Sequence, residues 1–365
     1  MKCRKLMDCC EFISDGDHLP PPKSTEGIPF ITISNITGQN KISFEDTMFV
    51  PKSYYDKLSE TKKARKGDIL YSVVGSFGKP VYVDFEMPMV FQRHIAILRP
   101  KSDVNGKYLY YTMLNPQFYR IVDKLAIGCS QRTVTLDTLR NIEVNLPNKD
   151  IQDKMVGVLS LIDEKIDINN SVNDNLEQQM HLIFENMMAK AATLKLSGEY
   201  TIAQNLATVV TGKEDANFSV PNGKYKFFTC SNTPLSCDEY VFDSSSILIA
   251  GNGDFNVKHY SGKFNAYQRT YVLTPDKKYF GLLYLASLYR INSFKSRSSG
   301  SIVKFITKSD VENIPVFIPN DRFYLQELNK LIYLQEQNKL ENELLVNLRD
   351  WLLPMLMNGQ ATISD

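Results

Sequence analysis

The sequence is poor in the features that mark membrane, secreted and metal-binding proteins. Its 365 residues contain no run of 18 apolar residues, which excludes an ordinary transmembrane helix, and the segment MKCRKLMDCCEF is too polar for a secretory signal. The six cysteines form no CxxC pair and have no histidines at metal-ligand spacing, so we interpret them as free thiols and predict no metal site. We therefore expect a soluble, cytoplasmic protein with no membrane partner.

The sequence also lacks a large net charge and recognisable catalytic motifs. The net charge of +1 argues against a chain that coats nucleic acid by charge alone, although it permits local basic faces. The four histidines are scattered and pair with no nucleophile. The segment Asn115-Pro116-Gln117-Phe118 resembles the Asn-Pro-Pro-Phe motif of amino-methyltransferases, but it lacks the second proline and no glycine-rich cofactor loop precedes it. We interpret it as a turn at the end of a helix, and we predict neither catalytic residues nor a cofactor on this chain.

Two long segments with helical periodicity are the most prominent feature that the sequence does have. Between Asp150 and Ala189, and again between Phe323 and Asn358, an apolar residue returns every three or four positions. The first stripe comprises Met155, Val158, Ile162, Ile166, Val172, Leu176, Met180, Ile183 and Met187. The second comprises Leu331, Leu334, Leu345, Leu348, Leu352 and Met355. Pro354 interrupts the second segment near its end.

A helix of this length needs a partner, because one apolar stripe buries only one face. A helix of about 38 residues is roughly 57 Å long. We expect the two segments to pack on each other as an antiparallel coiled coil. The polar positions that set its register are then Lys165, Asn169, Asn338 and Glu341. The alternative is that each helix packs on its own globular region.

The chain is a tandem repeat. Aligning Gly128 with Gly300, an offset of 172 positions (300 − 128), aligns further landmarks without a gap. They are Thr135/Thr307, Asn141/Asn313, Ile142/Ile314, Val144/Val316 and Pro147/Pro319. Upstream, where the offset drifts, the matches are Gln92-Arg93 with Gln268-Arg269, Thr32–Asn35 with Thr229–Asn232, and Gly16 with Gly212. The order of landmarks is the same in both halves, which predicts a duplicated globular region that is followed each time by a long helix.

Each globular region is predicted to contain short strands and one shorter helix. Runs of β-branched and aromatic residues, bounded by Gly, Pro, Asn or Asp, predict three matched pairs of strands. They lie at 29–33 with 226–229, 68–75 with 246–251, and 95–98 with 270–273. Shorter helices follow at 106–120 and 279–294, and final strands at 142–146 and 314–318. We predict an α+β fold with pseudo-twofold symmetry. Its domains are 1–149 and 196–320, and a pair of long antiparallel helices, 150–195 and 321–365, separates them.

Two similar modules on a rigid rod suggest a spacer. Duplex DNA repeats about every 34 Å, and proteins with twofold symmetry read half-sites about one turn apart. A rod of this length is able to place two reading modules on one face of the duplex.

The duplicated order of parts resembles the specificity (S) subunit of type I restriction–modification enzymes. The first half carries GDILYSVVGSFGK, FQRHIAILRP and GCSQRTVTLDTLRNIEVNLPNKDIQDKMVGVLSLIDEKID, and the second carries SSILIAGNGDF, YQRTYVLTP and GSIVKFITKSDVENIPVFIPN. The resemblance covers almost the whole chain, and its motifs are diffuse. It implies that each globular region is a target-recognition domain for one half of a bipartite DNA site. It also implies that the two helices set the gap between the halves.

The resemblance further implies a set of partners and no catalytic activity of the chain's own. The helices would dock two methyltransferase (M) subunits that bind S-adenosylmethionine, and cleavage would require restriction/translocase (R) subunits. Two alternatives stay open at this point. The chain could carry its own methyltransferase or nuclease activity, which the missing cofactor loop opposes, or it could be a scaffold that binds only protein.

Residues that read double-stranded DNA are expected to be polar side chains on loops. The residues kept in both halves are Gln92, Arg93, Gln268 and Arg269, which we interpret as common elements: structural hydrogen bonds, phosphate contacts or base contacts. Ser34-Asn35 and Ser231-Asn232 are open to two interpretations, as turn caps or as contacts to adenine.

Positions that differ between the halves are the better candidates for base readout. In the first half they are Thr37, Gln39, Asn40, Lys41, Ser76, Lys79, Ser130, Gln131 and Arg132. In the second half they are Asn252, Asp254, Asn256, Lys258, His259, Arg297, Ser298 and Lys304. Each could instead be a solvated loop residue. Arg132 and Arg297 are the strongest candidates for groove or phosphate contacts, and the basic segments 62–66 and 294–297 are candidates for phosphate contacts.

Overall fold

The chain folds as two units, each with its own interior. The first contains the residues up to Lys165 together with those from Leu344 onward, and the second runs from Ile166 to Glu343. The computed structural model describes residues 2–38, 40–129, 132–253, 255–297 and 305–361. Each of the two long helices contributes one part of its length to the first unit and the other part to the second.

The first unit combines short strands with helices. Its strands are β1 (Lys2–Lys5), β2 (Cys10–Asp15), β3 (Ile28–Ile31), β4 (Ile36–Gly38), β5 (Lys41–Ile42), β6 (Met48–Val50), β7 (Ile69–Ser72), β8 (Pro80–Tyr82), β9 (Val90–Phe91), β10 (Ile95–Pro100) and β11 (Glu143–Leu146). Its helices are α1 (Leu6–Cys9), α2 (Lys52–Lys57), α3 (Gly106–Leu114), α4 (Pro116–Leu125), α5 (Leu136–Asn141) and the start of α6 (Lys149–Ala192). Strands β2, β10, β7 and β8 form one sheet in that order, β6, β3 and β9 form a second, and β1 pairs with β11.

The second unit repeats this plan with longer strands. Its strands are β12 (Gly198–Ile202), β13 (Ala207–Thr211), β14 (Tyr225–Phe228), β15 (Leu235–Cys237), β16 (Phe242–Ala250), β17 (Val257–Ala266), β18 (Thr270–Pro275) and β19 (Pro315–Pro319). Its helices are α7 (Phe280–Arg297), α8 (Lys308–Glu312) and α9 (Arg322–Met357), the last of which it shares with the first unit. Strands β13, β18, β16, β17, β14 and β15 form one sheet in that order, and β12 pairs with β19.

The predicted repeat is confirmed strand by strand. In the first unit β7 lies between β10 and β8, and in the second β16 lies between β18 and β17. The outer strands β2 and β13 pair antiparallel with β10 and β18. A parallel pair also recurs, β3 with β9 and β14 with β17. All three predicted strand pairs and both final strands are present, with shifted ends.

The landmarks matched at the offset of 172 perform the same task in both units. Thr135 and Thr307 are N-caps, whose hydroxyl oxygens accept from the backbone N–H of Thr138 at 3.0 Å and of Asp310 at 3.2 Å. Asn141 donates through Nδ2 to a carbonyl four residues back at 2.9 Å, and Asn313 does the same at 2.8 Å. The two caps stabilise the short helices α5 and α8. Each of these helices is followed by one strand and then by a long helix, α6 or α9.

The helix predicted at 106–120 is interrupted. Asn115 ends α3 and caps α4, because its side-chain oxygen accepts from the backbone N–H of Gln117 at 3.0 Å. Pro116 follows at the first position of α4, where a missing N–H costs nothing. The interpretation of 115–118 as a helix-terminal turn is thus confirmed, while the matching helix α7 runs without a break.

Within each unit the long helices pack on each other and also on their own globular region, so both predicted arrangements are present. In the first unit, Met155 and Leu159 of α6 share a core with Leu353 and Leu356 of α9 and with Tyr108 of α3. In the second unit, the shared core of the two helices comprises Leu176, Met180, Phe184, Met187, Tyr324, Leu328, Leu331 and Ile332.

The predicted apolar stripes are wrong at several positions. Val172, Leu334 and Leu348 are exposed, and so is Lys165, which was predicted to lie in the seam. The buried positions near the middle of α6 are instead Asn169 and Asn173. The positions three and four residues ahead are both neighbours on a helix surface. A stripe that is traced from the sequence by such steps can therefore move from the buried row of positions to the exposed row beside it.

In the second unit, amide side chains connect the two long helices, which run antiparallel there. Asn169 donates through Nδ2 to Glu341 Oε2 at 2.7 Å and to Asn342 Oδ1 at 2.9 Å. Asn338 donates to Asn173 Oδ1 at 2.9 Å. The partner number falls as the α6 number rises, as the antiparallel prediction requires. The predicted register role of Asn169, Asn338 and Glu341 agrees with these contacts.

Two glycines that occupy matched positions allow a close crossing of the chain. A Cβ atom on Gly16 would lie 2.2 Å from the carbonyl oxygen of Phe91, and one on Gly212 would lie 2.1 Å from that of Ala266. Both contacts are to backbone atoms, which cannot move aside as the end of a flexible side chain can. Glycine is therefore required at both sites for steric reasons.

We expect Gly212→Ala to lower the free energy of unfolding by about 1–3 kcal/mol, because the added methyl group forces the crossing backbones apart. The matched control is Gly157→Ala in α6, where an added Cβ meets nothing within 4 Å. That change should raise stability by about 0.5–1 kcal/mol, since alanine favours the helix. Urea unfolding of the two variants measures both effects, and equal stability of the two would contradict the steric role.

Candidate nucleic-acid interface

The loop between β7 and β8 is held in one conformation by Ser72. Its buried hydroxyl donates to the carbonyl of Ser76 at 3.1 Å and accepts from the backbone N–H of Lys79 at 3.0 Å. Gly75 and Gly78 have φ angles of +67° and +90°, which favour glycine. Ser76 and Lys79, two predicted readout residues, are exposed on this preorganised loop.

Arg132 lies against the same loop. Its carbonyl accepts from the backbone N–H of Gly75 at 2.9 Å, and its guanidinium carbon lies 5.6 Å from the centre of the Phe77 ring. Its two terminal nitrogens donate to the carboxylate and to the backbone carbonyl of Asp123. The structure therefore brings Ser76, Lys79 and Arg132 together. Ser130 and Gln131 lie outside the described residues.

The hairpin of β4 and β5 carries three more predicted residues. Thr37, Asn40 and Lys41 are exposed. Asn40 has a φ of +53°, and its side-chain oxygen accepts from the backbone N–H of Tyr82 at 2.7 Å, so it ties the hairpin to β8. Gln39 lies outside the described residues.

Asn35 is a capping residue, which decides between its two interpretations. Its side-chain oxygen accepts from the backbone N–H of Thr32 at 2.8 Å, and its Nδ2 donates to the Ser43 carbonyl and to Thr47 Oγ1, both at 3.0 Å. The side chain is buried. Contacts to the chain's own turn account for it, as the capping interpretation requires.

The predicted match of Gln92-Arg93 with Gln268-Arg269 is wrong by one residue. The backbone N–H of Gln92 donates to Ile31, and the equivalent donor to Phe228 is Tyr267, each at 2.9 Å. The parallel bridges agree, because Gln92 pairs with Asp17 and Tyr267 pairs with Glu214. Arg93 is therefore equivalent to Gln268, and His94 to Arg269. The two Gln-Arg pairs are therefore not common elements of the two units, and all four residues have a different residue at the equivalent position.

The side chains of the four residues in the two Gln-Arg pairs have different surroundings. Arg93, Gln268 and Arg269 are exposed, whereas Gln92 is half-buried. Gln268 donates through Nε2 to Asp215 Oδ1 at 2.7 Å. Arg269 lines a cleft of about 250 Å³ together with Gly251 and Phe305, beside Asn252, which forms a bridge with Phe305.

Asn256 and Lys258 hold the loop that follows β14. Asn256 donates through Nδ2 to the carbonyl of Cys230 at 2.8 Å. The Lys258 ammonium donates to the carbonyl of Thr229 at 3.1 Å and to that of Ser231. Burial lowers the pKa of Lys258 below its ordinary value. These contacts direct both side chains toward the chain's own backbone, which favours a structural task for each.

His259 belongs to a buried network between β17 and α9 in the second unit. Its Nδ1 lies 3.0 Å from Glu336 Oε1, and its Nε2 lies 2.9 Å from Gln335 Oε1. Ser261 donates to Glu336 Oε2 at 2.9 Å. Burial raises the pKa of the Glu336 carboxyl, but the hydrogen bond and charge of His259, with the hydrogen bond of Ser261, bring it below its ordinary value of 4.5. His259, which was predicted to read DNA, therefore connects β17 to α9.

Several sequence predictions concern residues that are paired or not described. In the basic segment 62–66, Lys62 pairs with Asp17 at 3.1 Å and Lys63 with Glu60 at 2.9 Å, so part of its charge is compensated locally. Asp254, Ser298 and Lys304 lie outside the described residues, as does the side chain of Arg297, although its backbone ends α7.

Among the described residues, no group of three or more His, Cys, Asp or Glu side chains is arranged to hold a metal ion. The helices in the described ranges are all too short or too polar to cross a membrane. Asp123 and Phe77 were missed by the sequence analysis. The only signal was the pair of glycines on either side of Phe77, which indicates a tight loop but not what the ring contacts.

Comparison with known proteins gives consistent matches. The sequence model of the family described as type I restriction modification DNA specificity domain matches residues 1–178 and 206–347. The EcoDI specificity subunit of Escherichia coli, a type I restriction enzyme subunit, is 36% identical over 164 residues, which are 43% of this chain and 37% of that protein. The MjaIX specificity subunit of Methanocaldococcus jannaschii is 20% identical over 324 residues, 76% of this chain and 74% of its own.

A solved structure extends the match to the fold. The S subunit of a type I restriction–modification system from M. genitalium superposes with a TM-score of 0.60 at 19% identity. The superposition covers 100% of this chain and 96% of that one. At this identity the likeness concerns the fold alone.

Acidification should weaken the second unit through Glu336. A carboxyl whose pKa is lowered by folding stabilises the protein above its unfolded pKa, and that contribution is lost as the pH falls through the folded pKa. We expect Glu336→Gln to lower the free energy of unfolding by about 1–3 kcal/mol at pH 7 and by much less near pH 3.

The control for this prediction is Glu343→Gln, which removes an exposed carboxylate paired with Lys226 at 2.9 Å. Its effect should be below about 1 kcal/mol at either pH. Chemical unfolding at the two pH values provides the measurement. An effect of Glu336→Gln that does not shrink on acidification would count against this account.

Proposed function

Because this chain belongs to the family of type I restriction–modification DNA specificity domains, we propose that it is the DNA sequence-specificity subunit of a type I restriction–modification complex. In this proposal each unit reads one half of a bipartite, asymmetric site on double-stranded DNA. The observation that carries the proposal is a repeated frame with different loops. The strand order, the capping threonines and the crossing glycines recur in both units, whereas the loop residues do not.

Loop differences of this kind support readout of unlike half-sites. Ser72, which organises the β7–β8 loop in the first unit, corresponds in the strand pairing to Ala250 in the second. The exposed polar residues Arg93 and Gln268 occupy equivalent turns but present different donors. Side chains that differ in donor pattern prefer different base edges in the major groove.

The chemistry would reside in partner subunits, and the helices would hold them. We propose that two methyltransferase subunits, with S-adenosylmethionine bound to them, dock on the long helices, and that restriction/translocase subunits join through the complex. Exposed apolar residues on both helices support this, since such patches mark interaction surfaces. In the first unit they include Leu161, Leu344, Leu348 and Trp351. In the second unit they include Ile168, Leu182, Tyr333 and Leu340.

If the long helices act as a spacer, the length of the gap can be changed without changing the bases of the two half-sites. We expect a four-residue insertion after Ile166, with an equal insertion in α9 between Glu343 and Leu344, to lengthen the gap by about one or two base pairs. The reason is that four helical residues add about 6 Å. Mapping methylated bases in cells that express the complex gives both half-sites and the gap. Altered half-site bases with an unchanged gap would contradict the spacer function.

Trp351 is the single tryptophan of the chain and is 60% exposed on α9. We expect Trp351→Ala to weaken binding of the methyltransferase subunit about tenfold or more, because large exposed aromatic residues dominate interface energies. Titration calorimetry measures the affinity, and in the wild type the tryptophan fluorescence should shift to shorter wavelength on binding. The control is Leu194→Ala, since Leu194 is 93% exposed and lies beyond the end of α6. If the two variants bind equally well, α9 is not the docking surface.

A further inference from the structure

We propose that Arg132 reads a guanine base in the half-site of the first unit, and that Asp123 and Phe77 are the positioning residues that hold its guanidinium for this task. The proposal rests on the proposed function, because it assumes that the first unit contacts DNA. It adds the residue that specifies a base, the chemistry of that base and the side chains that make the contact specific.

Both the backbone and the guanidinium of Arg132 are held in place. The backbone of Arg132 is held by the hydrogen bond from Gly75 and by the strand-like pairing of the next residue, Thr133, with Ile127 at 2.8 and 2.9 Å. Asp123 accepts from both terminal nitrogens, through its carboxylate and its backbone carbonyl. The ring of Phe77 lies beneath the guanidinium carbon. A long side chain that is ordered before binding loses less conformational entropy on binding.

The support beneath Arg132 is itself fixed. Phe77 is buried and stacks on Tyr119 with ring centres 5.9 Å apart and planes inclined by 18°. Tyr119 can approach because Gly78 has no side chain; a Cβ there would lie 2.5 Å from Tyr119 Cδ2. The positions of Phe77 and Arg132 therefore depend on side chains from α4 as well as on the loop.

The ion pair with Asp123 favours a base edge over a phosphate as the ligand. A carboxylate beside the guanidinium compensates its charge and would lie close to any phosphate bound there, which costs electrostatic energy. The two hydrogen bonds to Asp123 use one N–H of each terminal nitrogen. Arginine has five such donors in a rigid fork, and the fork matches the O6 and N7 acceptors of guanine in the major groove.

A second Arg–Asp pair in the same unit shows what a structural pair looks like. Arg99 donates to Asp68 at 3.0 and 2.8 Å and to the carbonyl of Lys63 at 3.0 Å. Its side chain is 10% exposed and that of Asp68 is 2% exposed. The side chains of Arg132 and Asp123 are 41% and 39% exposed, so a ligand can reach this pair. Packing alone does not require an exposed pair of this kind.

The test uses the full chain together with its methyltransferase partner. The variants are Arg132→Lys, which keeps the charge but loses the fork, and Asp123→Ala, which keeps the fork but loses its support. Asp123→Asn is the conservative variant. The controls are Arg4→Lys and Asp56→Asn, whose side chains form partly exposed pairs with Asp103 and Lys52 in the same unit. Methylated sites are mapped by sequencing, and duplexes with every base pair substituted in turn are compared for binding over a range of salt concentrations.

Arg132→Lys and Asp123→Ala should each reduce the preference for one and the same G·C pair, in one half-site only, by about tenfold to a hundredfold. Asp123→Asn should lie between Asp123→Ala and the wild type, and the controls should leave the motif unchanged. Thermal unfolding and partner binding should be the same for all variants, because the affected side chains are partly exposed.

Three results would overturn the proposal. In a further variant, Arg132→Ala, the charge is removed; a uniform loss of affinity for all sequences there, with a salt dependence reduced by about one ion, and an unchanged base preference in Arg132→Lys would identify a phosphate contact instead. An unchanged preference in Asp123→Ala would remove the positioning role. If the wild-type complex shows no bipartite sequence preference, the proposed function fails, and this outcome is distinct from an intact motif that the variants leave unchanged.

Discussion

The packing of the two long helices on each other within each unit is the constraint on which the rest of the structure depends. In each unit the globular region packs on α6 and α9, and side chains of the two helices complete its core. Apolar side chains of the two helices provide burial in each unit, and in the second unit the amide side chains of Asn169, Asn173 and Asn338 provide hydrogen bonds between α6 and α9 that help set their register. Register matters here because a shift of one helix along the other would move every side chain that α6 and α9 contribute to the core of that unit.

The repeated frame separates two requirements that a DNA reader has to meet. Buried positions and caps keep the strand order the same in both units, as the shared tasks of Thr135 and Thr307 show. Loop positions are then free to differ. In the first unit a serine, two glycines and a stacked aromatic pair hold the β7–β8 loop and Arg132, whereas in the second unit Asn256 and Lys258 hold the loop that follows β14. The two units thus share one arrangement of strands, but different residues hold their loops and different side chains are exposed on them.

Much of this framework could be predicted from the sequence, because periodicity and capping are local properties. The long helices, the strand pairs and the duplicated Thr and Asn landmarks all follow from spacing alone. The one-residue error at Gln92 and Gln268 arose because a short motif cannot reveal a single-residue shift, whereas backbone pairing can. The tasks of Asn40, Lys258 and His259 depend on partners 42, 27 to 29 and 76 to 80 positions away, so no local pattern announces them. Asp123 and Arg132 are only nine positions apart, but α4 ends between them at Leu125, so no helical spacing predicts their contact.

The central claim is that this chain chooses the DNA sequence while partner subunits perform the chemistry. The most direct measurement is a map of methylated bases in DNA from cells that express the chain and its methyltransferase partner together, compared with cells that express either alone. The account predicts methylation at a bipartite, asymmetric site only when both are present. Methyl transfer by this chain alone, or a methylation pattern that persists when the chain is removed, would contradict it.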